Sequence, residues 1–171
     1  CPGKSPEFFH LFPVHLNGQS PDLERISFLA KKYNLFVVED ACHALGGAYI
    51  KSGGQISTIG NCEYSDITVF SLHPVKAITS GEGGVVNTNS EEIINKLSRF
   101  RNHGITRNKN EFQNKENEFQ ENEIINPWYY EQIELGYNYR LSDINSALAN
   151  SQLKKINKFR EIRNKLSDLY N

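Results

Sequence analysis

A lysine, an aspartate and a serine stand out in this chain because of where they fall relative to its apolar runs. Asp40 directly follows the run Leu35–Glu39, and Ser71 directly follows Ile67–Phe70. Both runs are short and apolar, and read as strands buried on both faces of a sheet. In open α/β sheets ligands bind beyond the carboxyl ends of parallel strands, so the two polar residues are expected at one crevice. Lys76 follows in the loop His73-Pro74-Val75-Lys76-Ala77-Ile78-Thr79, among small and apolar neighbours. Apolar surroundings favour the neutral, nucleophilic form of a lysine amine, the form that adds to a carbonyl carbon. Taken singly, an aspartate after a strand is often a turn residue and a loop lysine is usually solvated. Their joint placement is what points to chemistry.

The elements that must position them follow from pattern. Phe8–Val14 is an apolar run closed by the turn residues His15-Leu16-Asn17-Gly18. Ser20-Pro21-Asp22 then supplies a hydroxyl cap, a proline at the first helical position and a first-turn acid. Leu23, Ile26, Leu29, Ala30 and Tyr33 keep helical spacing before Leu35–Val38 resumes as a strand. A helix between two apolar strands predicts a parallel sheet and an α/β core. After a polar turn at Lys51–Gly54 come the strand Ile67–Phe70, a glycine-rich turn at Gly81–Gly84 and a short strand Val85–Thr88. Asn89-Ser90-Glu91-Glu92 caps a helix expected to run to about Arg101. Residues 107–126 repeat Asn-Glu-Phe-Gln among lysines, glutamates and asparagines, and read as an exposed, mobile insertion. The resulting division is 1–106 as a core, 107–126 as the insertion, 127–141 as an aromatic segment and 142–171 as a long amphipathic helix.

Composition removes several functions. Hydrophobic residues make up 38% and charged residues 23% of 171, as in soluble globular domains. A net charge of −1 lacks the basic excess of a nucleic-acid binder. No apolar run approaches the roughly 20 residues of a membrane helix, so no membrane association is expected. The three cysteines, Cys1, Cys42 and Cys62, form no CxxC pair, and no histidine stands at metal-ligand spacing. Reduced thiols in a cytoplasmic protein without a metal site are expected. Residue 1 is Cys rather than Met and the chain closes on a helical pattern, as in a fragment or a truncated gene product. No GxGxxG follows any strand, which removes an ordinary dinucleotide-binding domain.

A lysine that forms a Schiff base, an acid for a pyridinium nitrogen and a hydroxyl for a phosphate are what a pyridoxal-phosphate enzyme needs. The stretches Val38–Gly46 and Phe70–Gly84 resemble the DegT/DnrJ/EryC1/StrS aminotransferases, and Arg101-Asn102-His103-Gly104 and Gly136–Ile144 resemble later family motifs in the same order. The resemblance covers nearly the whole chain outside 107–126. It implies part of the large domain of a fold-type I transferase, like aspartate aminotransferase, with a mainly parallel sheet and a long C-terminal linker helix. By resemblance Lys76 would carry the cofactor and shuttle a proton, Asp40 would pair with the ring nitrogen, and His43 would sit against the ring or its phenolic oxygen. Ser71 would bind the phosphate, Asn138 would reach the phosphate of a neighbouring subunit in a homodimer with a shared active site, and His73 and Glu82 would line the sugar pocket. The implied reaction is transamination of a UDP-4-keto-6-deoxy-N-acetylhexosamine, with glutamate as donor, for bacterial surface or flagellin glycans. Two alternatives stay open: an inactive truncated fragment of such an enzyme, or a related PLP-dependent sugar dehydratase, in which histidine replaces the lysine.

Overall fold

The computed structural model describes residues 9–114 and 126–170. They divide into two compact units, one comprising the described residues up to Asn89 and from Leu141 onward, the other Ser90–Arg140. In chain order the elements are β1 (His10–Leu11), α1 (Leu23–Tyr33), β2 (Phe36–Asp40), β3 (Ala48–Ile50), β4 (Ile56–Thr58), β5 (Ile67–Ser71), β6 (Gly84–Asn87), α2 (Glu91–Phe100), β7 (Ile105–Thr106), β8 (Glu131–Gln132), α3 (Asp143–Leu153) and α4 (Ile156–Tyr170).

The first unit is built on a sheet of order β1-β2-β5-β6. β1, β2 and β5 run parallel, as the strand–helix–strand pattern predicts, and β6 closes the sheet antiparallel to β5. Along β2 and β5 burial alternates, with Val37, Glu39, Thr68 and Phe70 fully covered. Register pairs Asp40 with Val69, so Asp40 and Ser71 share the opposite face of adjacent strands. Phe70 packs with Ala41, Ala44 and Ile59, while Leu45 and Tyr49 lie against that cluster. The close turn at Gly60 belongs to the same packing. Its φ is +96°, and an added Cβ would meet the Phe70 ring at 2.5 Å.

Three local features differ from the sequence expectation. Helix α1 starts after Asp22, whose Oδ1 accepts from the Arg25 amide at 3.0 Å. Ser20, the expected cap, donates its hydroxyl to the Pro21 carbonyl instead. The polar turn at Lys51–Gly54 joins an antiparallel hairpin of β3 and β4, whose three-residue strands with exposed Ile50 and Ile56 leave little periodic signal. The C-terminal helical rhythm is carried by two helices. The Lys155 amide turns back to Gln152 at 2.9 Å, a tightened turn between α3 and α4.

In the second unit Ser90 caps α2 by accepting from the Ile93 amide at 3.3 Å, as expected. β7 and β8 pair antiparallel. Of the polar 107–126 segment, residues 115–125 lie outside the described residues. Its first part holds a short turn at Lys109–Glu111 and a buried Phe112, set edge-on to Tyr129 at 5.1 Å. Phe8 of the first apolar run also lies outside the described residues. Among the described residues no helix is long and apolar enough to cross a membrane.

The Phe70 cluster ties β5 to the segment that follows Asp40. Phe70→Ala is expected to lower unfolding free energy by about 3–5 kcal/mol, the range for deleting a buried aromatic ring. Urea denaturation checks this; a loss below about 1 kcal/mol would contradict a packed core at that position.

Candidate active site

Two strand ends, Asp40 and Ser71, lead into the loops that line a small cleft. Asp40 is the last residue of β2, held by its own backbone: its amide donates to Pro13 O and its carbonyl accepts from the His15 amide, both at 2.9 Å. The chain then turns, and the Cys42 amide donates to Asp40 Oδ1 at 3.1 Å. This places Cys42 and His43 directly beside the carboxylate. Ser71 ends β5, and the segment after it folds back on itself. Its Oγ accepts from the His73 amide at 3.3 Å, and the Lys76 amide donates to His73 O at 3.0 Å. Ser80, fully buried, closes the loop by donating its amide to Leu72 O at 3.0 Å and its hydroxyl to Glu82 O at 2.7 Å. Lys76 emerges half-buried in a cleft of about 400 Å³ lined by Asn17, His43, Val75, Lys76, Ala77 and Arg163.

The electrostatics follow from this packing. Hydrogen bonds from Cys42, side chain first and then amide, hold the Asp40 carboxyl below the usual carboxylate range. The nearby charges of His43 and Lys76 act in the same direction, against partial burial. The same contact moves the thiol the other way. Burial, followed by the Asp40 carboxylate, pushes Cys42 up to about 11. The pair is therefore an ionised carboxylate beside a protonated thiol.

The residues expected from sequence are distributed unevenly. Asp40, His43, Ser71 and Lys76 all lie in the first unit at the carboxyl edge of β2 and β5, with Lys76 close enough to influence Asp40. His73 and Glu82 sit nearby on exposed loop, Nε2 to Oε1 3.8 Å. Asn138 belongs to the second unit. It bridges Asn102 and is exposed on a short extended segment whose Tyr137 and Tyr139 rings stack at 4.8 Å. The alternation of extended chain sets Asn138 on the face opposite those rings.

Sequence reasoning missed Asn17 and Arg163. Asn17 was visible only as a turn residue; its φ of 53° and that of Gly18, 84°, are both left-handed, a conformation asparagine and glycine tolerate. Arg163 lies on the polar side of an amphipathic helix, with no signal distinguishing it from a solvated residue. Its guanidinium donates to Ala77 O at 3.1 Å, and Arg160 on the same helix donates to Gly46 O at 3.0 Å. Helix α4 thereby clamps both site loops. Among the described residues no group of three His, Cys, Asp or Glu is placed to hold a metal ion.

The donor set fits pyridoxal phosphate. Asp40 is kept ionised, as an acid facing a protonated ring nitrogen must be. Lys76 offers a primary amine within the cleft. Ser71 accepts one bond, and its hydroxyl hydrogen has no acceptor among the described residues, which leaves it for a phosphate oxygen.

Residues 9–171 match the model of the DegT/DnrJ/EryC1/StrS aminotransferase family. The chain is 40% identical over 161 residues to the Methanocaldococcus jannaschii protein MJ1066, covering 94% of this chain and 38% of that protein. It is 39% identical over 157 residues to the UDP-4-amino-4,6-dideoxy-N-acetyl-beta-L-altrosamine transaminase of Campylobacter jejuni, covering 92% and 35%. Among solved structures it resembles Helicobacter pylori PseC, an aminotransferase of pseudaminic acid biosynthesis, with TM-score 0.67 and 32% identity over 85% of this chain and 33% of that one. The chain thus spans 35–38% of the length of these two curated relatives.

Cys42 reports on the Asp40 contact. A thiol moved from an ordinary 9.0 to about 11 exposes about a hundredfold less thiolate at neutral pH. Iodoacetamide should label Cys42 correspondingly slowly at pH 8, and Asp40→Asn should speed labelling by removing the neighbouring anion. An unchanged rate in Asp40→Asn, followed by peptide mass spectrometry, would contradict the contact.

Proposed function

Because the chain belongs to the DegT/DnrJ/EryC1/StrS aminotransferase family, we propose that it forms the cofactor-holding part of a pyridoxal-phosphate aminotransferase acting on nucleotide-linked sugars. The acceptor is a UDP-4-keto-6-deoxy-N-acetylhexosamine, the donor glutamate, and the product a 4-amino sugar for a bacterial surface or flagellin glycan. The observation that carries this reading is the convergence of Asp40, Ser71 and Lys76 at one sheet edge. The transaminase names of the Campylobacter jejuni and Helicobacter pylori relatives support the sugar.

Pyridoxal phosphate, when bound, supplies the electron sink for the negative charge left on a carbon that loses its proton. The chain's own residues hold and serve that chemistry. Lys76 Nζ would hold the cofactor and, as the base beside the substrate carbon, would take up and give back its proton. The Asp40 carboxylate, held ionised chiefly by hydrogen bonds from Cys42, would keep a proton on the ring nitrogen. Ser71 Oγ would donate to the phosphate, and the His43 imidazole would sit against the ring or its phenolic oxygen.

In this reading Asn138, exposed on the second unit, would reach a phosphate in a second subunit of a homodimer that shares its sites. His73 and Glu82, on the exposed loops near Ser71, would line the sugar pocket. Reduced Cys42 and Cys62 suit a cytoplasmic enzyme.

The reaction is tested by supplying pyridoxal phosphate and glutamate and measuring 2-oxoglutarate release. Stoichiometric release is expected from the native protein, and Lys76→Ala should slow it by about a thousandfold, as for loss of a positioned base. Release unaffected by Lys76→Ala would overturn the assignment.

A further inference from the structure

Two buried groups next to the cleft have no part in that reaction. His15 is fully buried and Glu39 is 2% exposed, and His15 Nε2 lies 2.7 Å from Glu39 Oε2. His15 Nδ1 finds no partner among the described residues. Burying a linked polar pair beside an apolar core costs desolvation that an apolar pair would avoid, so its placement calls for a reason. With the ring proton on Nε2, directed at Glu39, Nδ1 is left as a bare lone pair, which is cheaper to bury unpaired than an N–H.

The pair fixes a segment of backbone. Glu39 is the last fully buried residue of β2, immediately before Asp40. His15 begins the turn Leu16–Gly18, in which the Gly18 amide returns to His15 O at 3.1 Å and the Gln19 amide to Leu16 O at 3.0 Å. Its backbone amide also donates to Asp40 O at 2.9 Å. Anchored by ring and backbone, the turn passes through left-handed Asn17 and Gly18. This presents the Asn17 amide to His43 Nδ1 at 3.3 Å.

A backbone amide can only donate, so Nδ1 of His43 must carry the lone pair and the neutral ring must carry its proton on Nε2. We infer that the buried His15–Glu39 pair is a positioning device that, through the Asn17 amide, holds His43 as an Nε2–H donor lining the cleft beside Lys76. His15 and Glu39 touch neither substrate nor cofactor; they set which ring nitrogen of His43 can donate. The inference rests on the pyridoxal-phosphate reading only for the acceptor, the cofactor's phenolic oxygen. The ring state itself exists in the cofactor-free protein.

The test is long-range ¹H–¹⁵N NMR of the uniformly labelled, cofactor-free protein at mildly alkaline pH, together with amide hydrogen exchange. His43 is expected as a single Nε2–H tautomer with a protected Asn17 amide. Glu39→Gln keeps an acceptor for His15 and should leave both signals in place. Glu39→Leu removes it, and should accelerate Asn17 exchange by about tenfold or more through local opening while amides of β5 keep their protection. In that variant the His43 ring nitrogens should shift toward a mixture of tautomers. An Nδ1–H ring for His43 in the native protein overturns the proposal, as does Glu39→Gln behaving like a complete loss. Should Glu39→Leu not fold, the native tautomer and Glu39→Gln still decide it. Failure of this test leaves the cofactor reading intact, since Lys76 is not involved. Absence of cofactor binding with the Nε2–H tautomer present would instead remove the reading and keep the device.

Discussion

The parallel pairing of β2 with β5 governs everything at the candidate site, because its register decides which side chains meet. Asp40 pairs with Val69, so Asp40 and Ser71 emerge on one face of adjacent strands, while Glu39, Thr68, Val37 and Phe70 fill the other. A slip of one residue would send Asp40 into the packed face and bring Glu39 out. The buried contacts that resist such a slip are the Phe70 cluster and the His15–Glu39 pair. Packing on one face of the sheet thus sets the chemistry on the other.

The loops that complete the cleft are tied down by polar contacts rather than by a core. The Cys42 turn is held on the Asp40 carboxylate, the Lys76 loop on Ser71 and the buried Ser80, and both are clamped by arginines from α4. Asn145 of α3 adds a bond from its side-chain amide to the Ser80 carbonyl. Such contacts contribute about 1 kcal/mol each, too little to define a fold but enough to hold a loop in one conformation. The Cys42 thiol is raised to about 11 by its burial first and then by the Asp40 carboxylate it helps to keep charged.

Strands with strong apolar signal were legible in the sequence, and so were the residues at their ends. Leu35–Val38 and Ile67–Phe70 announced β2 and β5, and with them Asp40 and Ser71. The Ser90 cap and the parallel core also read directly. What stayed hidden depended on tertiary contact. β3 and β4 are too short for periodicity to register, and the cap of α1 moved from Ser20 to Asp22 through a local competition between two good capping residues. Asn17 and Arg163 face the cleft because of how a turn and a helix pack, which no spacing along the chain encodes. His15 looked like one more turn residue, and only its burial against Glu39 sets it apart.

Whether the edge of β2 and β5 is a cofactor site reduces to where pyridoxal phosphate becomes attached. Borohydride reduction of the cofactor-treated protein, followed by peptide mass mapping, answers this most directly. A single phosphopyridoxyl label on Lys76 is the predicted result, with labelling lost in Lys76→Ala. Label spread over the surface lysines, with none preferred at Lys76, would contradict the account.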